Sequence, residues 1–483
     1  MHFIVKVFPE IIIKSAPVRK RFIKQLRDNV RRLLQPLGAD IRVTRDWEKV
    51  EVQAPGGSDA LANQVADVLA RTPGIANYSR VQAYPLGDLD DILAKTHQHW
   101  AEALAGKTFC VRVKRAGQHD FSSTDVERYV GGGLLHQTRA SGVDLHNPDV
   151  TVRLEVKRDK LFVVASQGRG LGGYPLGTQD GVLSLISGGF DSTVSTYLTI
   201  KRGMRTHYCF FNLGGRAHEM AVKEVAYFLW QKYGASHSVK FVTVPFEGVV
   251  AEILEKVDNP YMGVILKRMM LRAATQVAED LKLPALVTGE SVAQVSSQTL
   301  PNLSVIDRVT DTLVLRPLIT MDKGDIINYS RQIGTETFAA AIPEYCGVIS
   351  VRPTTSARPH MVEREESKFD FAVLDQALAA RESAEIHDLV YAMGADLSAP
   401  VESQVPAGAV VIDIRHPDEE VLKPLVLGEV MVEKIPFYRL NSQCESLDSS
   451  TRYLLYCEKG VMSQLHAAHL RDAGHNNIGV YRP

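Results

Sequence analysis

The sequence lacks the features that mark several common classes of protein. None of its apolar runs approaches the roughly 18 residues that a membrane-spanning helix needs, and its first residues lack the layout of a signal peptide. Hydrophobic residues make up 45% and charged residues 23% of the 483 positions, so extensive disorder is not expected. These absences predict a globular, cytoplasmic protein without a membrane partner.

Cysteine is scarce, and no two cysteines form a Cys-x-x-Cys pair. The five cysteines are Cys110, Cys209, Cys346, Cys444 and Cys457. Zinc sites and iron–sulfur clusters commonly draw on such pairs. The pattern therefore predicts reduced thiols, no zinc and no iron–sulfur cluster.

The net charge of −1 conceals an uneven distribution along the chain. Residues 1–160 carry 25 Lys and Arg against 19 Asp and Glu, and the remainder carries 30 against 37, which gives +6 and −7. A basic front half favours a polyanionic partner such as RNA, although a solvated basic surface would give the same count. Candidate contacts to tRNA or phosphate are Arg21 and Lys24 on a predicted helix over 17–36, and Arg112 and Lys114 at the end of a predicted strand.

The segment 182–192 predicts a nucleotide site. An apolar, strand-like run is followed by Ser187-Gly188-Gly189-Phe190-Asp191-Ser192, and a helix is expected to open at Thr193. Glycines allow the backbone close to an oxyanion, and the first N–H groups of a helix favour negative charge. A Walker A loop is excluded, because the nearest match, residues 105–108, leads into a strand-like run. The motif resembles the PP-loop of ATP pyrophosphatases, which adenylate a substrate oxygen and release pyrophosphate.

A second candidate site lies near the end of the chain. The apolar run 453–456 stops at Cys457, and a helix is expected to open near Ser463. A sulfur ringed by backbone N–H groups beside a helix N-terminus is stabilised as the nucleophilic thiolate, whereas most free cysteines, Cys209 among them, are inert core residues. The pattern resembles the active-site loop of a rhodanese, which carries sulfur as a cysteine persulfide, and 410–415 resembles its Asp-x-Arg strand. A cysteine phosphatase would need arginine where Ser463 stands.

Alternating strand-like and helix-like patterns predict a multidomain α/β protein, and the length suggests about three domains, give or take one. Within it, Gly131-Gly132-Gly133 marks either the end of a helix or a close backbone approach to a ligand. The order of elements resembles four known units. The predicted boundaries are 1–75 for a ferredoxin-like N-terminal domain, 76–166 for a THUMP RNA-binding domain, 167–394 for a parallel-sheet PP-loop ATP pyrophosphatase domain, 395–408 for a linker and 409–483 for a rhodanese-like α/β domain.

In this order the units resemble the tRNA 4-thiouridine synthase (ThiI) family in its long, rhodanese-bearing form. The resemblance implies that ATP adenylates O4 of uridine 8 in tRNA, and that a persulfide supplied by a cysteine desulfurase then attacks C4. The cofactor would be ATP with Mg²⁺, with no dedicated metal site. Together with the loop, the resemblance gives these ATP-binding positions: Leu185, Ile186, Ser187, Gly188, Gly189, Ser192, Lys267, Gly289 and Gln298.

The resemblance also assigns roles to four further residues. Asp191 matches an essential acid that holds Mg²⁺ or orients pyrophosphate. Lys323 follows Asp322 at a predicted helix start, where a cation is disfavoured unless it shares an anion, so it is assigned to phosphate or tRNA. Cys457 would carry the persulfide, and Cys346 would then form a disulfide with it that a reductant reopens.

The same resemblance implies a second role, in which the protein donates sulfur to a small ubiquitin-like carrier of thiamine synthesis, and it allows a homodimer that shares tRNA. Three alternatives stay open. One is a persulfide carrier for thiazole synthesis without tRNA thiolation, the second is a PP-loop ligase or amidotransferase, and the third is an RNA-binding scaffold with a sulfur-carrier tail. Turnover of ATP and dependence on Cys457 distinguish them.

Overall fold

The computed structural model describes residues 1–46, 49–213, 215–342, 350, 352–389, 399–415, 417–428, 430–436, 440, 443, 447–458, 461–472 and 474–483. These residues form two compact units, an N-terminal unit (Met1–Pro175) and a C-terminal unit (Leu176–Pro483). The C-terminal unit contains two sheets, so residues 176–389 are named the central lobe and residues 399–483 the C-terminal lobe. Over the described ranges, no helix combines the length and apolar character needed to span a bilayer.

The N-terminal unit is built on one mixed sheet. Its strands are β1 (His2–Val7), β2 (Arg42–Arg45), β3 (Lys49–Gln53), β4 (Ile75–Pro85), β5 (Thr108–Ala116), β6 (Gly142–Val143), β7 (Val150–Lys157) and β8 (Lys160–Arg169). Its helices are α1 (Pro9–Ile12), α2 (Ala16–Leu34), α3 (Asp59–Ala70), α4 (Leu89–Trp100) and α5 (Ser123–Gln137), with a 3₁₀ turn at Gln35–Leu37. In the described part of this unit the strand order is β2-β3-β1-β4-β8-β7-β5-β6.

Strand β4 joins the two halves of this sheet, because it pairs antiparallel with both β1 and β8. Along β1, Phe3 and Val5 point to one face and pack with Phe22 and Leu26 of α2 in a buried core. Since successive strand residues point to opposite faces, Lys6 lies on the other side of the sheet. The βαββαβ order up to β4 agrees with the predicted ferredoxin-like unit.

The central lobe alternates strands and helices. Its strands are β9 (Val182–Leu185), β10 (Thr206–Asn212), β11 (Lys240–Pro245), β12 (Ala285–Val287), β13 (Leu313–Leu315) and β14 (Glu382–Glu385). Its helices are α6 (Phe190–Lys201), α7 (Gly215–Leu229), α8 (Glu247–Lys256), α9 (Met262–Asp280), α10 (Leu300–Asp307), α11 (Lys323–Ile333), α12 (Glu336–Ala341), α13 (Pro359–Glu366) and α14 (Phe371–Ala379), with a π-helical turn at Trp230–Gly234 and 3₁₀ turns at Asn259–Tyr261 and Ser296–Gln298.

The strand order of this lobe is β13-β12-β9-β10-β11-β14. Strand β9 has β10 on one side and β12 on the other, and both pairs are parallel. The chain therefore reverses its winding direction at β9, which opens a crevice beyond the carboxyl ends of β9 and β12, where parallel sheets bind ligands. One edge departs from the predicted parallel sheet: β14 runs antiparallel to β11.

The C-terminal lobe is a smaller α/β layer. It comprises β15 (Val401–Glu402), β16 (Val410–Asp413), α15 (Pro417–Leu422), β17 (Val432–Lys434), β18 (Tyr453–Tyr456), α16 (Val461–Asp472) and β19 (Ile478–Tyr481). The described strands are all parallel, in the order β15-β19-β18-β16-β17. Strand β15 falls inside the predicted linker 395–408. That boundary was set too late, because Val401 and Glu402 complete the sheet edge by pairing with Val480 and Tyr481.

Candidate active site

The nucleotide loop (residues 187–192) connects β9 to α6 at the crevice. Gly189 caps α6 in an extended conformation, and the Thr193 N–H donates to the Gly189 carbonyl at 3.2 Å. The Ser192 hydroxyl folds the loop, because it donates to the Gly189 carbonyl at 3.1 Å and accepts from the Ser187 N–H at 3.2 Å. A compact loop ahead of a helix N-terminus is a geometry that favours an anion.

Two glycines permit the close packing around this loop. Gly188 has a φ of +83°, a region that side chains disfavour, and an added Cβ would lie 2.5 Å from Cδ1 of Ile342. Gly289 follows β12, and its added Cβ would lie 2.7 Å from the Asp191 carbonyl carbon and 2.8 Å from the Ser192 nitrogen. The two predicted ATP-binding segments are therefore in contact at the loop.

Asp191 is held by two side chains from outside the loop. Lys323 Nζ lies 2.8 Å from its Oδ1, and Gln294 Nε2 donates to its Oδ2 at 2.7 Å. Lys323 is the first residue of α11, as expected, and also lies over the Phe190 ring at 5.6 Å. The structure thus brings together the predicted acid and the predicted cation, and the helix-start cation does share an anion.

Lys267 belongs to a buried charge network beside the loop. Its Nζ lies 3.6 Å from Oε1 of Glu290, and the other oxygen of Glu290 accepts from Arg316 at 2.8 Å. Asp307 binds the far side of Arg316 through two hydrogen bonds. Burial raises the pKa of Glu290, but the charges of Lys267 and Arg316 outweigh it and leave the pKa below its ordinary value. Glu290 is therefore an anion that fixes the position of Lys267.

The other predicted ATP positions are partly engaged within the protein. Gln298 is buried, and its Oε1 accepts from the Ser291 N–H at 3.2 Å. The Ile186 side chain is in a core cluster, and its N–H donates to the Cys209 carbonyl. Leu185, at the end of β9, is half-buried against the main core. Ile186 can therefore reach a nucleotide only through its backbone.

Cys457 follows β18 at the carboxyl edge of the C-terminal sheet. It is 8% exposed, its Sγ accepts from the Ser463 N–H at 3.3 Å, and the Ser463 hydroxyl lies 3.5 Å away. By contrast, full burial raises the pKa of Cys209 to about 12, which suits an inert core thiol. The Cys457 sulfur thus accepts a backbone N–H from the first turn of α16, at the place where the sequence predicts the loop of a sulfur-carrying cysteine.

The C-terminal lobe packs on the central lobe through the region around Cys457. One apolar cluster contains Cys457 together with Val225, Phe338 and Ile342 of the central lobe. Nearby, His466 Nε2 of α16 lies 2.8 Å from Oε1 of Glu224 on α7. Ile342 belongs to this cluster and also lies against Gly188, so it links the nucleotide loop to the surroundings of Cys457.

Arg112 and Lys114 line a cavity of about 860 Å³ on the open face of the N-terminal sheet. Other cations on its wall are Lys6, Arg153 and Arg169. Arg21 and Lys24 are exposed on α2, which covers the opposite face. The structure therefore divides the four predicted tRNA contacts between the two sides of the sheet.

Cys346 lies outside the described residues.

Among the described side chains, no group of three or more His, Cys, Asp and Glu is placed to hold a metal ion. Glu290 lies in the segment 288–291 at the end of a predicted strand, which marks it from sequence as part of the pocket. Gln294 and Arg316 belong to no motif; Gln294 is close to Gly289 in sequence, and Arg316 has no such signal.

Three family models match successive parts of the chain: the ThiI ferredoxin-like domain over residues 2–79, the THUMP domain over 87–165 and the thiamine biosynthesis protein ThiI over 177–371. The crystal structure of a 4-thiouridine synthetase–RNA complex with bound ATP is similar at a TM-score of 0.70 and 25% identity, covering 80% of this chain and 99% of that chain.

Curated relatives match over the full length. A tRNA sulfurtransferase of Pseudomonas paraeruginosa is 57% identical over 483 residues, and one of Saccharophagus degradans is 56% identical over 486 residues. In both comparisons all of each chain is covered. Identity at this level over whole chains means that this protein belongs to the tRNA sulfurtransferase family.

Proposed function

We propose that this protein is an ATP-dependent tRNA sulfurtransferase that adenylates O4 of uridine 8 and replaces that oxygen with sulfur to give 4-thiouridine. One observation carries the proposal: the nucleotide loop and Cys457 belong to one compact unit, and Ile342 contacts the surroundings of both. An adenylating loop beside a sulfur-carrying cysteine serves two successive steps of one reaction.

The geometry of the loop supports the first step. The N–H groups at the start of α6 and the cations Lys267 and Lys323 would bind the phosphates of ATP. Asp191 would hold Mg²⁺, which neutralises phosphate charge. Uridine O4 attacks the α-phosphorus, pyrophosphate leaves, and the base carries AMP as a leaving group on C4.

The second step uses Cys457 as a persulfide, loaded by a cysteine desulfurase. Its terminal sulfur attacks C4 and AMP departs. The Cys346 thiolate then attacks the Cys457 sulfur, so the new sulfur stays on the base and a Cys346–Cys457 disulfide forms. A reductant supplies the two electrons that reopen it. The packing of Cys457 with Ile342, four residues before Cys346, supports this pairing.

The cavity lined by Arg112 and Lys114 supports tRNA as the substrate. Cations on a concave face suit phosphates, and the charge excess of residues 1–160 agrees. The similar crystal structure reported above is a 4-thiouridine synthetase–RNA complex with bound ATP. We assign Arg21 and Lys24, on the other side of the sheet, to a separate part of the same tRNA.

Sulfur donation for thiamine synthesis is a second candidate function. The family model over 177–371 carries the description thiamine biosynthesis protein. In this role Cys457 would pass sulfur to the adenylated C-terminus of a small ubiquitin-like carrier, without RNA. The same cysteine serves both functions, so they are compatible.

The proposal is tested by incubating the protein with MgATP, unmodified tRNA, a cysteine desulfurase and cysteine, and measuring both 4-thiouridine and pyrophosphate. Asp191→Asn is expected to lower both products by about 10²-fold or more, because adenylation loses the carboxylate charge of Asp191. Cys457→Ser is expected to lower thiouridine by about 10³-fold or more while tRNA-dependent pyrophosphate release continues. Cys444→Ser is the matched cysteine control and should behave as wild type.

Two results would overturn the proposal. Wild-type protein that accepts sulfur on Cys457 but leaves tRNA unmodified would be a sulfur carrier for another acceptor. Thiouridine formed at the normal rate by Cys457→Ser would remove the persulfide step.

A further inference from the structure

The carboxylate of Asp191 has a separate partner on each oxygen. Lys323 contacts Oδ1 at 2.8 Å, and Gln294 donates to Oδ2 at 2.7 Å. The two partners differ in kind, because Lys323 is a cation and 39% exposed, whereas Gln294 is a neutral donor and half-buried. Lys323 can leave Asp191 for an incoming phosphate, because a phosphate attracts a cation strongly. Gln294 is neutral, so a phosphate competes much less for its amide.

The segments that carry the two partners are tied to each other. The Ser291 hydroxyl donates to the Met321 carbonyl at 2.9 Å, and the Val292 N–H donates to the Ile319 carbonyl at 3.0 Å. Gln294 lies three residues after Ser291 and Lys323 two residues after Met321. Two hydrogen bonds to backbone carbonyls therefore set their positions around Asp191 together.

The residue before Gln294 has an unusual backbone. Ala293 has a φ of +63°, one of three residues other than glycine with positive φ in the described chain. Its N–H donates to the Gln298 carbonyl at 3.0 Å, which closes a six-residue loop, and the side chain of the next residue, Gln294, donates to Asp191. A strained conformation of this kind persists only where its surroundings enforce it, and such residues cluster at functional sites.

We propose that Gln294 is a positioning residue for Asp191, holding one carboxylate oxygen in place while Lys323 turns to the phosphates of ATP. The inference rests on the proposed function, since it assigns Asp191 to the nucleotide site. A neutral amide suits this task because it orients the carboxylate without cancelling the negative charge that Mg²⁺ or pyrophosphate requires.

Two substitutions test the proposal in steady-state thiouridine formation between pH 6 and 9. Gln294→Leu keeps the size but removes the donor, and should lower kcat about tenfold or more, with the KM for ATP changed by less than about threefold. Gln294→Glu keeps the size but replaces the donor with a carboxylate, and should lower kcat more than Gln294→Leu does, because the new charge repels Asp191 and competes for Lys323.

The chain offers a matched control in Gln276, which is exposed on α9 and donates to Asp280 at 3.4 Å, away from the crevice. Gln276→Leu and Gln276→Glu should stay within about twofold of wild type at every pH, as surface substitutions normally do. An unchanged kcat in Gln294→Leu, or a kcat of Gln294→Glu equal to that of wild type, would overturn the inference alone. Wild-type protein that fails to bind MgATP would overturn the proposed function and the inference together.

Discussion

His207 is a half-buried imidazole on β10, the strand beside the nucleotide strand β9. Its Nδ1 accepts from the Lys240 N–H at 3.0 Å. Burial lowers the pKa of His207 to about 4, and the charges of Arg205 and Lys240 act in the same direction against Glu385. An unfolded histidine has a pKa near 6.5. Between these values the unfolded state binds more protons, so stability rises with pH and is lost as pH falls from about 6.5 to 4.

We therefore predict that acidification from pH 7 to 4 destabilises the wild type more than His207→Gln, which does not titrate. The expected difference is about 1–3 kcal/mol in the free energy of unfolding, since each unit of pKa shift is worth about 1.4 kcal/mol and the ring is only partly buried. Urea unfolding at intervals of one pH unit measures it. His360→Gln, at an exposed histidine, should follow the wild type, and parallel curves for all three proteins would refute the assignment.

Single residues were predictable where their chemistry depends on a local motif. Asp191 and the loop glycines stand out because strand, glycines and helix follow one another in sequence. Gln298 is a predicted ATP position whose Oε1 accepts from the Ser291 N–H, whereas Gln294, which donates to Asp191, belongs to no motif. A glutamine in a polar segment gives no signal, because its role depends on a partner 103 residues away.

At the scale of elements, the site exists because two strand ends meet. Gly289 after β12 lies against the first turn of α6, where a side chain would meet backbone atoms of Asp191 and Ser192 within 2.8 Å. Backbone atoms in a helical turn cannot move aside as a flexible side chain can. The contact between the two segments therefore requires glycine.

Gly289→Ala is predicted to weaken MgATP binding by about tenfold or more, since overpacking typically costs about 1–3 kcal/mol and here displaces the loop itself. Calorimetric titration of the protein with MgATP measures the effect. Gly263→Ala is the matched control, because Gly263 lies in α9 with no atom within 4 Å of an added Cβ. It should bind MgATP normally and gain up to about 1 kcal/mol in helix stability. Equal affinities of the two variants would contradict the role of Gly289.

Element order was predictable, whereas short polar strands were not. The strand–helix alternation of the central lobe follows from apolar runs that a parallel sheet buries. Strands β14 (Glu-Ser-Ala-Glu) and β15 (Val-Glu) have no such pattern, and they form because a neighbouring strand offers unpaired backbone groups. The glycine run 131–133 does not end its helix. It allows α5 to pack closely on Leu93 of α4, a contact that only the folded chain reveals.

At the scale of the whole molecule, the sequence predicts two chemical sites but not their relation. The sequence predicts a linker at 395–408 between the two lobes, and a linker does not say how the lobes are placed. The structure shows the lobes packed together through Val225, Phe338 and Ile342. Apolar residues at an interface between lobes have the same sequence pattern as residues in the core of one lobe. Composition and spacing therefore do not distinguish interface residues from core residues.

A hydrogen bond between His466 and Glu224 is the polar part of this interface. Both side chains are largely buried, at 7% and 13% exposure. Removing Glu224 deletes this hydrogen bond, and losing a hydrogen bond at a buried site costs about 1–3 kcal/mol. Because the pair joins the two lobes, that cost weakens the packed arrangement relative to one in which the lobes separate and Cys457 meets solvent.

We therefore predict that Glu224→Ala speeds alkylation of Cys457 by iodoacetamide about tenfold or more, because labelling of a buried thiol follows the population of the open state. Mass spectrometry of the peptide containing Cys457 measures the rate. Asp280→Asn, which breaks an exposed ion pair with Arg381, is the control and should label as wild type. A faster rate with an unchanged melting temperature would place the effect at the interface rather than in global unfolding. An unchanged rate would mean that the apolar cluster around Val225, Phe338 and Ile342 holds the lobes together without Glu224.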